Sequence, residues 1–321
     1  MKPKRQNPRY FMKRLAAVVS FFALISGAAN AQVYINEMMA NAPGADSSGT
    51  TGNEYFELRG TPGLSLAGYY LLSIEGQGTT GRGDINQFFD LGAFSIGANG
   101  FLFAQQNFSG YTPVTVGASV LQNTVGQGWG TVPTGTAGYS TDGTGVDMEN
   151  SATTILLINR GIGIVPTLTT DVDTDDDGLL DLPAGWSVVD SVGLMDGVSG
   201  AATDFSYGSI TFRVGGAGVS AYGNVIDVPG TGTALYVGRK GDTTGSTTDD
   251  WFGAIVAGSA ASPLAFNFTG VSDPIYAGKL IPDMVFGGTN PVPEPGTFSL
   301  AALGVFALWR LRQRGPGVTV I

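Results

Sequence analysis

The sequence predicts an all-β protein, an antiparallel β-sandwich with long Gly- and Thr-rich loops, and three observations carry that reading. Short apolar runs of four to seven residues, rich in Val, Ile, Tyr and Phe, occupy 33–38, 55–58, 69–74, 100–104, 153–158, 187–193, 209–214, 234–237 and 264–268. Glycine supplies 50 of the 321 residues and, with Thr, Ser, Asn and Asp, separates these runs, which is the turn chemistry a many-stranded antiparallel fold needs. Between residue 32 and the C-terminal tail, no stretch keeps the 3.6-residue period of an amphipathic helix. The glycines follow no strict triplet, which excludes collagen.

Ahead of the first strand stands a leader. Lys2, Lys4, Arg5, Arg9, Lys13 and Arg14 precede the apolar run 15–25, and Ala29 and Ala31 place small residues at the cleavage spacing. The pattern is that of a secretory signal peptide over 1–31, a signal helix that signal peptidase removes, with Gln32 as the expected mature N-terminus. Residues 32–292 then hold 25 acids against seven bases, a net charge of −18. Such a surface repels nucleic acid and attracts cations. The chain has neither Cys nor His. It therefore forgoes disulfides and holds together by burial, and it lacks the side chains of the common nucleophile–base pairs and of ordinary zinc sites.

In the second run, EYFELR at 54–59, a period of two sends Tyr55, Glu57 and Arg59 to one face and Glu54, Phe56 and Leu58 to the other. Phe56 and Leu58 are the expected core pair. Glu37 and Glu57 can be read as a carboxylate pair for glycoside hydrolysis, but partnership with Arg59 or a strand-end role is the preferred reading. The stretch 109–146, dominated by Gly, Thr, Val and Ser, is expected to form long turns or an inserted hairpin. Arg82-Gly83-Asp84 is expected to be a turn rather than an adhesion tripeptide. Trp186 and Trp251 lie beside strands, so core packing is preferred to a sugar-stacking platform.

The most specific signal in the body is DVDTDDDGLLD at 171–181, six acids in eleven residues. Counted from Asp173, acids fall at loop positions 1, 3, 5 and 9, with Gly178 at position 6. This spacing suits calcium, because alternate residues of a tight turn point inward and glycine accepts the sharp bend. Asp173, Asp175 and Asp177 are expected to ligate Ca2+ by side chain, Leu179 by its carbonyl, and Asp181 directly or through water. Asp171 or Asp190 is available to complete the shell. Position 12 is Ala184 and no helices flank the loop, so it is not an EF-hand; it resembles the isolated acidic loops of dockerins and thrombospondin type 3 repeats. A solvated acidic loop is the alternative.

The chain closes on Val292, Pro293, Glu294, Pro295, Gly296 and Thr297, an apolar run 298–309, and Arg310, Arg312 and Arg314. Twelve helical residues span about 18 Å, against roughly 30 Å of bilayer hydrocarbon. Counting 295–311 gives about 25 Å, and snorkelling arginines bridge the remainder. The expected organisation is a sandwich over 32–285, a linker and motif over 286–297, a C-terminal hydrophobic helix with a basic stop over 298–314, and a tail over 315–321.

Two resemblances follow from these residues. VPEPGT with its hydrophobic run and arginines resembles the PEP-CTERM sorting signal of Gram-negative bacteria. That likeness implies export, an inner-membrane intermediate processed by an exosortase, and delivery to the cell surface or extracellular matrix. Residues 315–321 extend past the point where such tails usually end. VYINEM at 33–38, NEYFELR at 53–59 and LSLAGYYLL at 64–72 resemble the opening of a lamin-tail domain, with ENSATTILLI at 149–158, VVDSV at 188–192 and DDWF at 249–252 as later pieces. That likeness implies an immunoglobulin-like sandwich. Together they lead to an exported, non-catalytic structural or adhesive protein, with the acidic surface and Asp loop suited to cation bridging to surface polysaccharide. The alternative is a secreted hydrolase working through paired carboxylates.

Overall fold

The computed structural model describes residues 32–44, 53–78, 81–105, 111, 117–122, 148, 152–195, 204–215, 224–232 and 234–291. The signal peptide expected over 1–31, the motif residues Val292 to Pro295, Arg310, Arg312 and Arg314, and the C-terminal hydrophobic helix lie outside the described residues.

Thirteen strands form among them: β1 (Val33–Asn41), β2 (Tyr55–Gly60), β3 (Tyr69–Glu75), β4 (Ile85–Asp90), β5 (Phe101–Gln105), β6 (Ser119–Gln122), β7 (Thr153–Asn159), β8 (Ser187–Met195), β9 (Ile210–Val214), β10 (Asn224–Val228), β11 (Leu235–Arg239), β12 (Trp251–Ala257) and β13 (Asn267–Val271). They build a seven-stranded sheet in the order β13-β12-β11-β1-β2-β5-β6 and a six-stranded sheet in the order β10-β9-β8-β7-β3-β4, packed as a sandwich. The described residues contain no α-helix, only three single 3-10 turns.

The expectation of a purely antiparallel arrangement is corrected. β5 and β6, β8 and β9, and β9 and β10 run parallel, so both sheets are mixed. Hairpin-length connections produce antiparallel neighbours, whereas parallel ones need a return crossing. In the sequence, 13 residues separate β5 from β6, 14 separate β8 from β9 and nine separate β9 from β10.

The central strands of both sheets are covered on both faces, so the ILLI run of β7 is continuous rather than alternating, whereas β10 at the end of its sheet has Asn224 and Asp227 exposed. In β7, Ile155 and Leu157 point between the sheets with Phe56, Leu58 and Leu71, while Leu156 and Ile158 pack outward with Leu72, Val172 and Trp186. The outer face of the seven-stranded sheet is sealed in turn by the segment that follows β12, through Phe266, Tyr276, Ile281, Met284 and Phe286.

The sheets are pinned together by a buried ion pair. β1 carries a bulge between Ile35 and Glu37, and bulges re-aim the backbone. Here the Ile35 N–H donates across the sandwich to Asp190 Oδ2 of β8 at 2.9 Å. The same oxygen accepts from Arg239 Nη2 of β11 at 2.7 Å. Arg239 is fully buried and stacks over the Trp251 ring at 4.3 Å.

Candidate metal site

The connection from β7 to β8 spans 160–186 and folds over the outer face of the six-stranded sheet, anchored by Val172 and Trp186 in the apolar layer there. Within it the acidic stretch shapes itself through its own carboxylates. Asp171 Oδ1 accepts from the Asp173 N–H at 2.9 Å. Asp173 is buried; its Oδ1 accepts from the Asp177 N–H at 3.0 Å and its Oδ2 from the Gly178 N–H at 2.9 Å. These bonds wrap the chain around one carboxylate, and the wrap needs left-handed backbone at Asp176 (φ 57°) and Gly178 (φ 85°). Asp and Gly are residues that tolerate that region. Asp181 closes the loop, its N–H donating to Val172 O at 2.6 Å and its Oδ2 accepting from Thr174 Oγ1 at 2.6 Å.

The result is a close group. Asp173, Asp175 and Asp177 each present one carboxylate oxygen, and the three oxygens lie within 4.8 Å of one another. Two ligands each about 2.4 Å from a calcium ion can stand no farther apart than about 4.8 Å, so the group can hold a metal ion. Asp181 is outside this close group, engaged with Thr174. Leu179 donates its N–H to Asp177 Oδ1 at 2.8 Å and its side chain is exposed. Asp190, considered for the outer shell, is instead turned between the sheets and bound to Arg239.

The loop sits on the β3–β4 hairpin. Val172 N–H donates to Gly83 O and Ile85 N–H to Thr170 O. Arg82 lies 3.7 Å from Asp176 and stacks 4.0 Å over Phe205. The Arg-Gly-Asp triplet is thus a turn with its arginine packed beneath the loop. Asp84 has its pKa raised, first by burial and then by the charges of Asp171, Glu75 and Asp176. Tyr207 donates to Asp173 Oδ2 at 2.7 Å, and its own pKa is pushed up by burial and then by that carboxylate. Neither Arg82 nor Tyr207 was signalled as part of the site, since Tyr207 lies 34 positions from Asp173 and only the fold joins them.

The second carboxylate pair is placed differently from expectation. Glu37 and Glu57 are register partners on β1 and β2 and both are wholly buried. Arg59 forms no ion pair with them, although its charge acts on Glu57; it reaches the carbonyls of Gly241, Asp242 and Thr243 at 2.8–3.0 Å and the Asp242 carboxylate at 3.5 Å. Glu37 instead accepts from Tyr236 Oη at 2.6 Å, and Glu57 from Asn36 Nδ2 at 2.7 Å and from the Gly287 N–H. Phe56 and Leu58 do take the inner face, as the period of two requires.

No curated protein and no solved structure matches this chain. Residues 291–314 match the model of the PEP-CTERM protein-sorting motif, and the C-terminal segment is on that ground a sorting signal whose processing enzyme is an exosortase.

Proposed function

We propose that the chain is an exported cell-surface or extracellular-matrix protein of structural or adhesive role, whose body binds Ca2+ at the 171–181 loop and bridges through it to anionic polysaccharide. The observation that carries the binding half is the convergence of Asp173, Asp175 and Asp177 within 4.8 Å on a loop already wound around Asp173. Like charges at that separation repel unless a cation lies among them. The sorting half is supported by the match over 291–314.

A lamin-tail-like, immunoglobulin-like sandwich is the domain we propose. In support, the quoted motifs fall on β1, β2, β3, β7, β8 and the start of β12. A non-catalytic role is favoured over carboxylate hydrolysis because Glu37 and Glu57 have no exposed surface for a substrate to reach.

Calcium is expected to raise the melting temperature of the protein. At a free concentration a hundredfold above Kd the stabilisation is about 2.7 kcal/mol, or roughly 5–10 °C for a body of this size. Calorimetry with and without millimolar Ca2+ measures it. Asp175→Ala combined with Asp177→Ala is expected to abolish the shift, with little change in the metal-free melting point because both side chains are exposed. A wild-type protein indifferent to Ca2+, or a shift that survives in the double variant, would refute the assignment.

A further inference from the structure

After β13 the chain runs back across the outer face of the seven-stranded sheet, and its last described stretch is fastened there by polar contacts. Asn99 Nδ2 donates to Gly287 O at 2.8 Å and Asn290 Nδ2 to Arg239 O at 3.1 Å. Tyr276 Oη donates to Pro291 O at 2.8 Å. Phe286 sits in a nest of rings, with centroids 5.3 Å from Tyr55, 5.1 Å from Phe103 and 5.0 Å from Tyr111. Pro291, where this fastening ends, is also the first residue of the sorting motif. The central contact is the Gly287 N–H on Glu57, and Glu57 faces Glu37.

We propose that Glu37 and Glu57 form a proton-held latch: the segment 284–291, root of the sorting tail, docks on the sheet only while the pair retains at least one proton, and rising pH drives it off. Side chains directly opposite on antiparallel strands have Cβ atoms about 4.5–5.5 Å apart. Two bare carboxylates buried that close cannot both ionise without a cation, and one keeps its proton instead.

No ion pair reaches either group among the described residues. From β2, Arg59 is committed to the 241–243 carbonyls, and from β11, Arg239 is committed to Asp190. The remaining titratable groups facing the pair are the hydroxyls of Tyr55, Tyr111 and Tyr236, all held neutral by burial and then by the glutamate charge nearby; Tyr276, beyond Tyr236, is raised by burial and then by Asp273. Lys240, beyond the pair, is bound to Asp273 at 2.8 Å.

The direction follows from linkage. Burial raises Glu37 from 4.5 to about 7, with the Tyr236 bond drawing it partly back. Glu57 is raised well above its ordinary value, first by burial and then by the Glu37 charge. Undocking uncovers both groups, which then titrate near 4.5. The docked state is therefore fully favoured below about pH 4.5 and loses ground as pH rises through 7. Each proton released on opening lowers the docked-to-open ratio about tenfold per pH unit.

Hydrogen exchange on the full-length chain in detergent tests this, with protection computed against intrinsic rates at each pH. Protection of 284–291 is expected to fall about tenfold or more per pH unit between pH 6 and pH 8, while amides of β3 and β7 hold theirs. Glu57→Gln is expected to flatten that slope and to raise protection at pH 8 above wild type. Tyr236→Phe, which removes a bond to the ionised form, is expected to move the Glu37 midpoint upward. Should a variant fail to fold, infrared titration of the wild type remains decisive, since the carboxylic-acid carbonyl band must persist above pH 6. A flat profile, a parallel loss in β3 and β7, or protection that tracks added Na+ or Ca2+ instead of pH would each overturn the latch.

Discussion

Replacing Asp190 by Ala is expected to destabilise the protein by about 3–5 kcal/mol, the usual result of stripping one partner from a buried ion pair. Arg239 has no exposed surface and its Nη2 would lose its 2.7 Å contact. The Ile35 N–H would lose its acceptor as well, adding an unsatisfied buried donor. Because Asp190 belongs to one sheet and Ile35 and Arg239 to the other, the damage falls on the joint between them. Urea unfolding measures it as a lowered midpoint at constant slope. Asp190→Asn, which keeps an acceptor but drops the charge, should lose less. Pairing Asp190→Leu with Arg239→Met should restore much of the loss, since apolar replacements of buried ion pairs are often neutral or better. An Asp190→Ala protein within 1 kcal/mol of wild type would mean that the pair does not hold the sheets together.

Strands rich in Val, Ile, Leu, Tyr and Phe were legible from the sequence: the expected runs at 33–38, 55–58, 69–74, 153–158 and 187–193 all lie inside β1, β2, β3, β7 and β8. The strands that escaped notice have identifiable reasons. β4 reads INQFFD, and its Asn86 and Gln87 look like loop residues although both are buried. β10 reads NVIDV and pairs in parallel at the end of its sheet. β12 is broken in appearance by Gly253, whose missing Cβ makes room for Phe212 and Val228; a Cβ there would lie 2.6 Å from one and 2.8 Å from the other. The expected run 264–268 is displaced, with a 3-10 turn at Pro263–Ala265 and the strand beginning at Asn267. Parallel pairing could not be read at all, because it depends on where long connections return.

The metal loop shows the same division. Its ligand spacing is local, so the convergence of Asp173, Asp175 and Asp177 followed from the sequence. The supports are distant in the chain: Tyr207 comes from the approach to β9 and Arg82 from the β3–β4 turn. Asp190 was offered to the loop because it is acidic and near in sequence. In a strand, however, neighbouring side chains point to opposite faces, and Asp190 points to the face that holds Arg239. The glutamates show that a carboxylate pair read from sequence carries no information about burial: Glu37 and Glu57 both have no exposed surface.

Trp251→Ala is expected to cost about 3–5 kcal/mol, the range for removing a large aromatic from a core. The side chain is 1% exposed, meets the Phe212 ring at a centroid distance of 6.0 Å, and donates from Nε1 to Gly245 O at 3.1 Å. It also forms the floor on which the Arg239 guanidinium rests at 4.3 Å, a desolvated cation–π contact worth up to about 2 kcal/mol. Losing the ring therefore leaves a cavity and loosens the arginine that ties the sheets together. For that reason Trp251→Ala and Asp190→Ala should not add. Both act through Arg239, and a double-mutant cycle is expected to return a coupling of about 0.5–3 kcal/mol. Trp251→Phe keeps a ring beneath the arginine and should fall between wild type and Ala. Additivity within about 0.5 kcal/mol would show that the tryptophan and the ion pair are independent. The same burial decides against a sugar-stacking role for this residue, since neither ring face is open to a ligand. Its fluorescence should accordingly resist acrylamide quenching in the native protein and become accessible only on unfolding.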